Sequence, residues 1–369
     1  MLESNEHVER EVLIDENQRS TPISFRPLAG KLRVWIGFAL SIVFLYFAVR
    51  KVPLSDLAAS LKDSEFIWLA VALVLQILAL LPRAKRWLVI LEPEGSFREA
   101  FSSQNIGYLF NNIFPLRVGE IARILVMARA CGISIIKVGT SVVLERVLDV
   151  IFVTLGLLIA LSGIIIPDGY LSGARLLIWL VGVVVILLIL FVRFYPRLDR
   201  LFRSLLLKMP GKFTERILAF WVQALDVIKL FSDMKHTIRL LAWFLVSWLF
   251  SIALYWCTLR AFVPDPTILE VVLMISTLAL SFLIPSSPGY LGVFQFVGQQ
   301  ALVIPFGSKY NPVTAFAIAL TVHAIFYITT SLFGIIGVGR IGLSISNIRK
   351  EVEVHPIRSE VHDKSTHGD

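Results

Sequence analysis

The chain has 369 residues, of which 56% are apolar and only 17% charged, against roughly 45–50% and about 25% in an ordinary soluble domain. A mean hydropathy of +0.77 cannot be hidden in one core, which excludes a soluble globule and leaves an all-α polytopic membrane protein. Lys and Arg total 35 against 27 Asp and Glu, a formal charge of +8. In a membrane protein that excess belongs on the cytoplasmic side against anionic lipid, and no nucleic-acid partner is expected.

Taken in chain order, residues 1–32 are polar and acidic, with Glu3, Glu6, Glu9, Glu11, Asp15 and Glu16. They read as a flexible cytoplasmic tail, and without a short apolar region or A-x-A site no cleavable signal peptide is expected. One transmembrane domain is expected over 33–340, with six crossings near 33–50, 66–82, 134–165, 173–193, 238–261 and 311–339, each largely free of charge. Ten basic residues between Arg193 and Arg239 place 193–238 inside as basic interfacial helices, while 164–174 carries no Lys or Arg and faces outward. Counting from there puts both termini, including the tail 341–369, in the cytoplasm.

Two stretches do not fit a simple crossing. Val271–Ser308 is uncharged but broken at Pro285-Ser-Ser-Pro-Gly-Tyr-Leu-Gly292; each arm has about 15 residues, roughly 22 Å, short of a hydrocarbon core of about 30 Å. It reads as a re-entrant hairpin opening to the outside. The stretch 98–131 carries Ser102, Ser103, Gln104, Asn105, Asn111 and Asn112, breaks at Phe114-Pro-Leu-Arg-Val-Gly-Glu120 and returns as a charged arm. It is expected to open to the inside. Pro115 with Gly119 and Pro285 with Gly289 share a Pro-x-x-x-Gly spacing, so the hairpins suggest an inverted repeat of the sort that places a transport site at the midplane.

The charges inside apolar sequence carry the chemistry, because each needs a partner or a task. Arg83 and Arg86 follow the second crossing; Arg117, Glu120 and Arg123 sit at or after the first break; Glu145, Arg146 and Asp149 lie on the helix begun by Ser134. Glu145 is eleven residues into that helix, roughly 16 Å deep. Glu145 and Asp149 form an i,i+4 pair of like charges, which demands a cation between them. One reading is a set of ion pairs that staple the hairpin to the long helix. The other is that some guanidinium groups also hold a lipid phosphate, for which their planar geometry is suited. On the second hairpin, Ser286, Ser287, Gly289, Tyr290 and Gln295 offer neutral groups that either bind a headgroup or satisfy the broken backbone. His323 is expected to be a hydrogen-bonded packing residue. Cys131 and Cys257 lack metal or disulfide spacing, and no metal or other cofactor is expected.

The run Asn111-Asn-Ile-Phe-Pro-Leu-Arg-Val-Gly-Glu-Ile-Ala-Arg123, the group Glu145, Arg146 and Asp149, the upstream Arg83-x-x-Arg86-Trp87 and the downstream Pro285-x-x-Pro288-Gly289-Tyr-Leu-Gly292 together resemble the lysylphosphatidylglycerol synthase transmembrane, or flippase-like, family over about 33–340. The resemblance implies a prokaryotic cytoplasmic-membrane protein with re-entrant helices that moves phospholipids or lipid-linked headgroups between leaflets. It also implies that Arg117, Glu120, Arg123, Glu145, Arg146 and Asp149 form the polar core. The chain after Arg340 is a short polar tail, so the aminoacyl transferase activity of fused members is not expected. No nucleotide-binding P-loop is present. The reading is therefore a translocator rather than an enzyme, whose partner is an anionic phospholipid or a polyprenyl-phosphate-linked substrate. The alternatives are an intramembrane transferase or hydrolase, with Glu145 or Asp149 as general base, and a lipid-binding partner of a lipid-modifying enzyme.

Overall fold

The computed structural model describes residues 27–91, 93–115, 117–164, 233–282, 284 and 286–341, with isolated positions between 179 and 204. Most of the expected crossing over 173–193 and of the basic segment that follows it, and the tails up to 26 and from 342, lie outside the described residues. Within them every regular element is helical: α1 Pro27–Val49, α2 Leu54–Lys62, α3 Phe66–Leu91, α4 Phe97–Ile113, α5 Val118–Cys131, α6 Ile135–Ser162, α7 Met234–Phe262, α8 Ile268–Ser281, a 3-10 turn Pro288–Tyr290, α9 Val293–Phe306 and α10 Pro312–Ile341.

Three of these, α3, α7 and α10, are long and apolar enough to cross a membrane, and α1 joins α2 through a 76° bend. The bend falls where Pro53, extended at φ −60° and ψ 137°, precedes α2; a proline holds the residue before it out of the helical region. α6 has 28 residues, about 42 Å of helix. Apart from Lys137 in its first turn, its charges are Glu145, Arg146 and Asp149 near its middle. Exposed apolar side chains such as Trp35, Ile42, Phe66, Ile67, Leu249 and Ile328 form the kind of outer surface that hydrocarbon, not water, covers. The protein is a multi-pass helical membrane protein.

The expected end of the second crossing at Pro82 is corrected: α3 contains Pro82 and runs on to Leu91. A proline removes one N–H and crowds one carbonyl, but the turns beyond it are held by the buried Trp87, Ile90 and Leu91. Arg83 and Arg86 therefore lie within the long helix, not after it. The two anticipated breaks are present, α4 turning into α5 across 114–117 and α8 into α9 across 282–292.

Packing follows from these breaks. α3 lies along α7, α10 along α4 and α9, α5 against α4, and α8 against α6. One apolar core joins α7 to α10 through Leu259, Met274, Leu278, Phe294, Ile318 and Val322. A second joins α3 to α6 through Trp87, Leu91, Met127 and Val138. The close approach of α5 to α4 depends on paired glycines: a Cβ at Gly119 would land on the Gly107 carbonyl, and one at Gly107 would lie 2.9 Å from the Arg123 Cβ. Small residues at such a crossing let two backbones touch, which brings the return arm close enough for Arg123 to enter the interior.

Candidate functional site

Six charged residues on α3, α5 and α6, namely Arg86, Glu120, Arg123, Glu145, Arg146 and Asp149, form one closed ring. Arg86 pairs with Glu145 and, through Nη1 at 2.7 Å and Nη2 at 3.2 Å, with Asp149. Asp149 lies 3.6 Å from Arg146, which donates to Glu120 at 2.6 Å. Glu120 lies 3.6 Å from Nε of Arg123, and Arg123 pairs with Glu145. Each carboxylate thus faces two guanidinium groups and each guanidinium two carboxylates, so three positive and three negative charges cancel. Arg86 is the cation demanded between Glu145 and Asp149.

The ring is built from local geometry. Glu120 with Arg123 and Arg146 with Asp149 are i,i+3 pairs on their own helices, where side chains three and four apart share a face. Arg86 lies 5.3 Å over Phe244 and Arg123 lies 4.4 Å over Trp87, contacts that favour a cation removed from water. Trp87 is held in turn by donating to Ser141 Oγ at 2.9 Å. Glu145 and Arg123 are each 2% exposed, whereas Arg146 keeps 46% of its side chain accessible. The ring has a buried side and an open side.

The open side borders a cavity of about 250 Å³ to which α3 through α10 all contribute, lined by Arg83, Arg86, Arg117, Glu120, Arg146, Asp149 and Tyr290 among others. Arg83 donates to Ser251 Oγ at 3.0 Å. Arg117 lies 5.8 Å over the Tyr290 ring, and its Nη2 is buried with no hydrogen-bond partner among the described residues. Neither pairs with a carboxylate among the described residues. With the ring neutral, these two arginines give the cavity a net positive charge.

The two helix breaks meet at this cavity. Arg117, at φ 56°, caps α5 in the left-handed region, and Tyr290, at φ 59°, occupies the same region in the other break. Left-handed backbone costs a non-glycine residue roughly 1 kcal/mol or more, so both side chains are held at some expense to the fold. Asn111 Oδ1 accepts from Gly119 N at 2.9 Å. A Cβ at Gly289 would lie 2.7 Å from the Tyr327 ring and 3.3 Å from the Asn112 carbonyl, so glycine lets the second break reach the first. Asn112 also donates to Thr330 and Ser331 at 3.1 and 2.9 Å, tying α4 to α10.

The expected site residues therefore separate. Arg83, Arg86, Arg117, Glu120, Arg146, Asp149 and Tyr290 line the cavity, while Arg123 and Glu145 lie behind the ring. Ser286 and Ser287 pack on α1, the Ser287 N–H donating to Ser41 Oγ at 2.7 Å. Gln295 accepts from Gly292 N at 2.8 Å and meets His323 Nδ1 at 2.7 Å, so it satisfies the broken backbone, and His323 stacks on Phe294 at 4.6 Å. Gln76, Tyr108 and Tyr255 line the cavity and were not anticipated. Gln76 had a signal: it is the single polar residue in the run Phe66–Pro82, and such residues face a protein interior. Among the described residues no group of three or more His, Cys, Asp or Glu is placed to hold a metal ion.

An all-helical bundle with a neutralised ionic ring, an electropositive cavity and two helix breaks facing each other defines a multi-pass membrane protein with a polar interior site. Residues 34–334 match the family described as the lysylphosphatidylglycerol synthase TM region. The chain belongs to that family, whose membership points to a lipid-related function in a membrane. No curated protein sequence matches the chain.

Proposed function

We propose that this protein is a lipid translocator that takes the anionic headgroup of a phospholipid or polyprenyl-phosphate-linked lipid into the cavity while the acyl or prenyl chains stay in the bilayer. The observation that carries this reading is the unpaired charge of Arg83 and Arg117 beside a ring that neutralises itself. Guanidinium groups bind phosphate oxygens in bidentate geometry, and the buried Arg117 Nη2 is left without a hydrogen-bond partner among the described residues, which is costly. An anion completes the site. In this reading the chain crosses the membrane six times, both termini are cytoplasmic, and α4–α5 and α8–α9 are re-entrant hairpins opening to opposite faces of a prokaryotic cytoplasmic membrane. Their meeting at Arg117 and Tyr290 fits tips that converge from two sides.

An enzymatic role for Glu145 or Asp149 as general base fits the geometry less well. Each carboxylate is engaged by two arginines, so its oxygens already face guanidinium groups rather than a substrate proton. The test is exchange of a fluorescent phosphatidylglycerol between leaflets of reconstituted vesicles. Exchange faster than in protein-free vesicles, abolished by Arg117→Gln, is expected. Equal exchange with and without protein, across anionic headgroups, would exclude transport.

A further inference from the structure

We infer that the cavity holds a second subsite, centred on Gln76, for an uncharged hydrogen-bonding group of the headgroup, and that the site selects a lipid phosphodiester bearing a polyol over one bearing a cationic aminoacyl group. The inference rests on the proposed headgroup site and specifies its ligand. Gln76 is 0% exposed, lines the cavity, and neither its Oε1 nor its Nε2 has a hydrogen-bond partner among the described residues. A buried amide left without partners costs a large fraction of its hydration energy. An amide at the cavity wall whose acceptor oxygen and NH2 donors are both without partners suits a hydroxyl, which can donate to the first and accept from the second.

Position supports the same assignment. Gln76 and Arg83 are separated by seven residues on α3, two turns and about 10 Å along one helix face. A headgroup phosphate beside Arg83 and its polar substituent beside Gln76 then lie along one wall. The charge pattern argues against a cationic substituent. Glu120 and Asp149 are the acidic side chains lining the cavity among the described residues, and each is already shared by two arginines. An ammonium group would compete with two arginines at each of these carboxylates and would also meet Arg83 and Arg117.

Two lipid sources share this chemistry, a glycerophospholipid with a glycerol headgroup and a polyprenyl-phosphate hexose. Native mass spectrometry of the full chain in mixed micelles separates them. The probes are phosphatidylglycerol against phosphatidic acid, and a polyprenyl-phosphate hexose against polyprenyl phosphate, with phosphatidylcholine as background. Gln76→Met is expected to fold at least as well as the parent, because it removes an unpaired amide. It lowers retention of at least one of the two polyol lipids about tenfold and leaves the two simple phosphates unchanged; the polyol lipid affected identifies the source. Lysyl-phosphatidylglycerol is expected to be retained less than phosphatidylglycerol. Unchanged retention of both polyol lipids in Gln76→Met, or stronger retention of the lysyl lipid, would overturn the subsite. Retention of none of the four probes above phosphatidylcholine would instead overturn the anionic-headgroup reading on which it rests.

Discussion

Glu145 on α6 is shared by Arg86 of α3 and Arg123 of α5, so one buried carboxylate binds three helices to one another. Its position decides what the remaining arginines can do. Because Arg86, Arg123 and Arg146 are consumed by Glu120, Glu145 and Asp149, the free positive charge is left to Arg83 and Arg117. A structural ring and a binding site are adjacent parts of one polar interior.

Glu145→Gln leaves two guanidinium groups facing a neutral amide. Breaking a buried ion pair from one side costs about 3–5 kcal/mol, so a marked fall in thermal stability in detergent is expected. Arg123→Met added to Glu145→Gln is expected to recover part of the loss, since the residues are coupled. Additive losses would show that the ring does not act as a unit.

Arg117 separates stability from binding in the opposite direction. At φ 56° a glycine is less strained by about 1 kcal/mol, so Arg117→Gly is expected to raise or preserve the melting temperature while removing retention of anionic lipid. Loss of both together would assign Arg117 to the fold.

Gly119→Ala is expected to destabilise the α4–α5 hairpin by about 1–3 kcal/mol, the usual effect of overpacking, because its Cβ meets backbone at Gly107. Limited proteolysis of the variant, with cleavage rising near 114–117, reads this directly.

Tyr310, in the connection between α9 and α10, donates to Glu270 at 2.7 Å. Burial pushes its hydroxyl pKa up, and the hydrogen bond to the Glu270 carboxylate adds to the rise. A pKa raised by folding contributes stability that is fully present below the unfolded value, roughly pH 10, and is lost as pH rises through the folded value. Tyr310→Phe is therefore expected to reduce stability by about 1–2 kcal/mol near neutral pH and to weaken the fall of melting temperature at alkaline pH. An unchanged alkaline slope would contradict that origin.

Much of the site was legible where it is local. The i,i+3 pairs and the need for a cation between Glu145 and Asp149 follow from helix periodicity, and the breaks at Pro115 and after Ser281 from proline, glycine and arm length. The identity of that cation was not legible, because Arg86 arrives from a helix distant in sequence. The expected crossing stops near residue 82, yet the helix continues through Pro82 to Leu91, because tertiary packing around Trp87 outweighs the proline's single lost N–H. Gln76 stands out as the single polar residue of its apolar run, which marks an interior-facing position, but only the cavity beside it gives its amide a role. Ser287 and Gln295 look like ligand groups by type, but the broken backbone and the neighbouring helices use them.

The central claim is that an anionic headgroup enters the cavity. Photo-crosslinking from p-benzoylphenylalanine placed at Tyr255, which lines the cavity, tests it most directly, with the same group at the exposed Leu249 as the lipid-facing control. The account predicts an adduct with phosphatidylglycerol or a polyprenyl-phosphate lipid at Tyr255 that disappears in the background of Arg83→Gln and Arg117→Gln, while the adduct at Leu249 persists. Adducts at both positions that are unaffected by those substitutions, or none at Tyr255, would contradict it.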